Sequence, residues 1–143
     1  MTMRLKRTQQ AKSLVTIMLV IAITSLVLSI AIEKIIKLNI AQNEANASAT
    51  LKLIVTALEN YAKVNQGVFP KSLSLLSETN PPYLNKDYLQ QSPIKGYIYV
   101  CSRLDPAGYS CSAAPAKCGL SGRNTYTITT GGALIAEDCN KKE

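Results

Sequence analysis

Apolar and polar residues change their spacing three times along this chain, and each change predicts a different element. From Ser13 to Ile32 the run SLVTIMLVIAITSLVLSIAI carries no charge over twenty residues. At 1.5 Å rise per residue a helix of that length is about 30 Å long, the thickness of a bilayer's hydrocarbon core. Charges return at Glu33, yet apolar residues persist at Ile36, Ile40, Ala47, Leu51, Ile54, Leu58 and Tyr61, spaced by three, four or seven. Lys37, Gln42, Glu44, Ser48, Lys52, Glu59 and Lys63 fill the other positions, which is the pattern of a one-sided helix. No Pro or Gly occurs between Ser13 and Gln66, and Gly67 with Pro70 beyond it marks a stop. The spacing predicts one helix of about fifty residues, some 75–80 Å long. Its transmembrane half covers 13–32 and its amphipathic half covers 33–66.

Beyond Gly67 the pattern becomes loop-like. Phe69-Pro70 opens it, 72–77 offers one or two helical turns, and Asn80-Pro81-Pro82 breaks them. The segments GYIYVCS (Gly96–Ser102), YSCSA (Tyr109–Ala113), TYTITT (Thr125–Thr130) and ALIAED (Ala133–Asp138) then read as strands, rich in β-branched and aromatic residues. Asp105-Pro106-Ala107-Gly108 and Gly131-Gly132 supply the turns. The expected fold is α+β: a long amino-terminal helix packed on an antiparallel sheet of three to four strands. The strand core candidates are Ile98, Val100, Ile128 and the Leu134/Ala136 positions. A sheet this small is marginal alone, so the helix must cover it.

Charge sets the expected topology. Arg4, Lys6, Arg7 and Lys12 precede the apolar run, and no acidic residue appears before Glu33. Basic flanks stay on the cytoplasmic side. Residues 1–12 therefore read as a basic cytoplasmic leader, followed by a single pass and about 110 residues outside the cell membrane, of which 67–143 form the carboxyl-terminal loop and sheet. The net charge of +7 overstates the basicity of that outer part: after the run twelve basic residues face nine acidic ones, a balance of +3 (12 − 9), and nothing calls for nucleic acid. The run is also long for the apolar core of a secretory signal. It lacks a small-x-small end, since Ala31-Ile32-Glu33-Lys34 leads on into apolar sequence.

Cys101, Cys111, Cys118 and Cys139 all lie in the carboxyl third. An even count in a small exported domain reads as two disulfides. With no histidine and no C-x-x-C, zinc, haem attachment and an imidazole-activated thiol are all disfavoured. Of the three possible connectivities, a hairpin about Asp105–Ala107 favours Cys101–Cys111. A Gly131-Gly132 turn would place Asn124 opposite Cys139, leaving Cys118 a short loop away, and so favours Cys118–Cys139.

No catalytic constellation stands out, and no cofactor or metal is implied. Glu137 and Asp138 are adjacent on a strand and so point to opposite faces. The sequon Asn46-Ala47-Ser48 lies mid-helix. The chain is read as a non-enzyme.

One apolar helix continuing into an amphipathic stem, then a loop and a small sheet, resembles the type IV pilins and the pseudopilins of type II secretion. The residues carrying the likeness are VIAI (Val20–Ile23), IAQNEANASATLKLIVTALENYA (Ile40–Ala62), GVFPKSLSLL (Gly67–Leu76) and NPPYL (Asn80–Leu84). The resemblance implies a filament subunit that is inserted in the bacterial membrane before assembly, with 13–32 as the filament core. Its implied partners are other pilin-like subunits, a prepilin peptidase and the assembly machinery. It aligns Ala11 with the family's glycine before the peptidase cut and Lys12 with the first mature residue, normally phenylalanine. Thr16 falls at the early glutamate and Glu33 at the helix-breaking proline, so all four hallmark positions are changed. The competing expectation is a signal-anchored envelope protein whose outer domain binds a ligand.

Overall fold

The computed structural model describes residues 3–141, with side chains from Ser13 onward. Helix α1 runs Met3–Val64, a short helix α2 spans Ser74–Glu78, and four strands follow: β1 Tyr97–Asp105, β2 Gly108–Pro115, β3 Asn124–Thr129 and β4 Leu134–Asp138. The architecture is α+β, with one antiparallel sheet in the order β1-β2-β3-β4. The chain divides into two compact units, Met1–Leu38 and Asn39–Glu143. The first is helix alone. The second holds the sheet and the remainder of α1.

In the second unit α1 is one-sided as its spacing requires. Ala47, Leu51, Ile54 and Leu58 are fully buried, and Ile40, Val55 and Ala62 nearly so. The helix ends where the chain turns left-handed, at Gln66 (φ 57°) and Gly67 (φ 84°). There the Gly67 N–H bonds back to the Ala62 carbonyl at 2.7 Å, satisfying an orphan acceptor of the last turn. The loop then folds back over the core. Phe69 sets its ring edge-on to Tyr109, and Leu73, Leu76 and Leu84 are buried.

The sheet presents Tyr97, Tyr99, Tyr109, Cys111, Ala113 and Ile128 to the core. This corrects the strand core expected from sequence. Ile98 and Val100 are 41% and 52% exposed and Ala136 is exposed, while Ile128 is buried and Leu134 half-buried. The reason is the pleat. Cys101 pairs with Cys111, whose side chain is buried, so Tyr99 and Tyr97, two and four residues before Cys101, share its face. Tyrosine also fills a wide helix–sheet gap better than a β-branched residue, provided its hydroxyl reaches a partner. Here the Tyr97 hydroxyl donates to the Asn124 carbonyl (2.8 Å) and that of Tyr109 to Glu59 Oε1 (2.8 Å).

Two registers depend on turn detail. The β1–β2 turn is tight: Asp105 pairs with Gly108, and Asp105 Oδ1 accepts the Ala107 and Gly108 N–H groups. Continued regularly, that register would miss the cysteine pair by one residue. A bulge between Cys101 and Arg103 shifts it so that Cys101 faces Cys111. The second hairpin is not the two-glycine turn expected. β3 stops at Thr129 and β4 starts at Leu134, with Gly131 and Gly132 both left-handed within a longer loop. Asn124 therefore faces Asp138 rather than Cys139. Gly122 has a packing role, because a Cβ there would run into the Tyr97 ring.

Because the stripe on α1 is the cover of the sheet, its two sides should differ under mutation. Leu58→Ala is expected to lower stability by about 2–5 kcal/mol, the usual result of emptying a core position. Leu53→Ala, at a position 47% exposed on the same helix, should change it by no more than about 0.5 kcal/mol. Urea unfolding of the full chain in detergent measures both, and equal effects would contradict the docking.

Candidate functional site

Within the first unit, α1 is long and apolar enough to cross a membrane, with an eighteen-residue stretch of mean hydropathy 2.7. Thirteen large apolar side chains between Leu14 and Ile32 are exposed there. At about 1.5–3 kcal/mol each, leaving them in water would cost on the order of 20–40 kcal/mol, more than the whole stability of a typical domain. This surface requires a second apolar phase, either lipid or other protein.

The few hydroxyls on the stem do not contradict that requirement. Thr24 Oγ1 donates to the Val20 and Ile21 carbonyls, Ser25 Oγ to Ala22 and Ser29 Oγ to Ser25, at 2.9–3.0 Å. Each polar group is thus satisfied within the helix, as lipid demands. Thr16 sits on the same exposed stem. The side chains of Ala11 and Lys12 lie outside the described residues.

The second unit is tied internally by two kinds of link. Disulfides join Cys101 to Cys111 across β1 and β2, and Cys118 to Cys139, closing the loop before β3 onto the end of β4. Each such bridge typically contributes about 2–4 kcal/mol. A carboxylate oxygen of Asp138 lies within 4.8 Å of the sulfurs of Cys118 and Cys139. Those sulfurs are bonded to each other, so no thiolate is left to act as a ligand, and the trio does not form a metal centre. Glu137 and Asp138 are both exposed on β4.

The second link is polar, and it runs from the flanks of the α1 stripe to the sheet. Glu44 Oε1 accepts the N–H groups of Arg123 (2.7 Å) and Asn124 (3.2 Å) and the Asn124 side-chain amide (3.4 Å). Asn43 donates to the Ser121 carbonyl, and Glu59 receives the Tyr109 hydroxyl. Sequence reasoning placed Glu44 and Glu59 on the solvent side. A signal was available: each lies four residues from a buried position, Glu44 after Ile40 and Glu59 after Val55, so each belongs to a core-facing row.

Four tyrosines at this junction are held protonated. Burial, with Glu44 nearby, pushes Tyr97 well above the usual phenol range. Burial and the Glu59 hydrogen bond do the same to Tyr109. Burial also raises Tyr99, against a smaller opposing effect of hydrogen bonding to Thr50, and raises Tyr126. Comparison of the chain with known protein families, with curated proteins and with solved structures finds no match in any of the three.

The tyrosines make stability depend on pH in one direction. Below about pH 10, the ordinary phenol value, folded and unfolded chains are equally protonated and the full stability is present. Above it the unfolded chain releases protons that the folded chain keeps, so stability falls as pH rises toward the raised folded values. The urea midpoint should be level between about pH 8 and 9.5 and decline from about pH 10 upward. Tyr97→Phe should start lower, having lost the bond to Asn124, and decline less steeply. A wild-type midpoint unchanged to about pH 11.5 would contradict this burial.

Proposed function

We propose that this chain is a pilin-like structural subunit of a type IV pilus or type II secretion pseudopilus, inserted in the bacterial membrane before assembly. The observation that carries the reading is the division of labour along α1. Its first part exposes an uncharged, predominantly apolar surface from Ser13 to Ile32, and its second part is the cover of a disulfide-linked antiparallel sheet. A stem of this kind suits a subunit that exchanges lipid for neighbouring stems. The resemblance of VIAI, the Ile40–Ala62 segment and the two loop motifs to the family supports the same reading. Four basic residues ahead of the stem favour an amino-terminus inside and a folded unit outside. The role is architectural rather than catalytic, and its partners are the membrane, other pilin-like subunits, a prepilin peptidase and the assembly machinery.

The departures at Lys12 and Thr16 shape the proposal. In the family a glutamate at the Thr16 position is held to pair with a neighbour's terminal amine during docking. Threonine carries no charge, and Lys12 adds a like charge to every copy. This chain should therefore be a minor or assisted subunit rather than an efficient homopolymer. The same two residues favour the second reading, a signal-anchored envelope protein that stays in the bilayer.

Amino-terminal sequencing of material sheared from the cell surface separates the two. A subunit should appear there as a chain beginning at Lys12, cut after Ala11, and Thr16→Glu should raise its amount severalfold. A chain that begins at Met1 and is found only in membranes would remove the filament reading and leave the anchored one.

A further inference from the structure

A recess of about 230 Å³ opens in the second unit where α1, the loop before β1 and β1 itself meet. It is smaller than the roughly 300–1,000 Å³ of sites for drug-sized molecules, a size for one small ring rather than a chain. Its walls have an unusual charge. Lys86 and Lys95 both line it, and no carboxylate does. Among the described residues the one salt bridge is Arg103–Asp105, so neither lysine is neutralised. The acid next in sequence, Asp87, directs Oδ1 to the Leu89 and Gln90 N–H groups of its own turn.

The two ammonium groups are positioned by neutral partners. Lys86 Nζ lies 5.0 Å from the centre of the Tyr88 ring, and Lys95 Nζ is 3.4 Å from Asn46 Oδ1. Tyr88 is itself fixed by a hydrogen bond from its hydroxyl to Asn85 Oδ1 (3.0 Å). Lys95 occupies a left-handed turn position (φ 47°) beside Gly96, where Asn or Gly is the usual choice. What lysine adds there is a cation over the recess. Around the two charges stand the amides of Asn46 and Asn85 and the hydroxyl of Thr50. Such groups both donate and accept, which matches sugar hydroxyls.

We propose that this recess binds an acidic monosaccharide, its carboxylate between Lys86 and Lys95 and its ring hydroxyls on Asn46, Asn85 and Thr50. Two cations facing a water-accessible concavity stabilise an anion and disfavour a neutral sugar. The proposal does not depend on filament assembly, since every residue in it belongs to the folded unit.

The test is titration of the isotope-labelled full chain in a sugar-free polyoxyethylene detergent, followed by NMR, with glucuronate, glucose and inorganic phosphate as separate probes. Glucuronate should move the amide signals of Asn46, Lys86 and Lys95 saturably, and added salt should weaken the effect. Glucose should not move them. Lys86→Gln or Lys95→Gln should weaken glucuronate binding about tenfold, the loss of one charge-assisted contact. Unchanged signals from Leu58 and Ile128 would show that the variants remain folded. No saturable shift with glucuronate, equal shifts with glucose, or a response to phosphate alone would each overturn the proposal. So would undiminished binding in a folded double variant. The wild-type contrast between glucuronate and glucose decides the matter even if a variant fails to fold.

Discussion

The packing of one face of α1 on a tyrosine-lined sheet is the interaction on which the folded unit depends. Four strands with one face in water cannot hold themselves together, and a lone amphipathic helix cannot bury its stripe. Each supplies what the other lacks. Ala47, Leu51, Ile54 and Leu58 are fully buried against a surface built from Tyr97, Tyr99, Tyr109 and Ile128. The apolar contact is non-directional, so it leaves the helix free to slide. Glu44 on the Arg123 and Asn124 amides at the start of β3, and Glu59 on the Tyr109 hydroxyl, remove that freedom at two points fifteen residues apart. The disulfides add covalent ties, one between β1 and β2 and one from the loop before β3 to the end of β4, within the sheet that the helix covers.

The same helix is governed by a different constraint in the first unit. Nothing within the described residues covers Leu14 to Ile32, and the cost of wetting that surface exceeds what a small domain can offset. The hydroxyls of Thr24, Ser25 and Ser29 bond to their own helix, so these three need no polar partner in lipid. A chain with such a stem and a compact second unit suits the proposed role, in which lipid is a temporary solvent and neighbouring stems the final one.

Long-period features were legible in the sequence, and short-range ones less so. The apolar run, the one-sided continuation, the stop at Gly67 and the four strands follow from spacing, because burial over several turns leaves a repeating mark. The Cys101–Cys111 pair followed from a turn position, although the Ser102 bulge that makes it possible leaves no compositional trace. The strand faces were misread because Ile98 and Val100 look more apolar than Tyr97 and Tyr99. The cystine settles the face, since a buried Cys111 opposite Cys101 puts the tyrosines inside. The second hairpin was misread by one residue because Gly131-Gly132 fits a two-residue turn as well as a longer loop. The Lys86–Lys95 recess was not legible, since its residues converge only when the loop folds back beside α1.

The most direct test of the central claim concerns what surrounds the stem. A photo-crosslinking amino acid at Leu19, which is 60% exposed on α1, would report its neighbours in both fractions. The account predicts lipid adducts in membranes and subunit-to-subunit adducts in material sheared from the surface. Lipid adducts alone, with no crosslinked chain outside the bilayer, would contradict it.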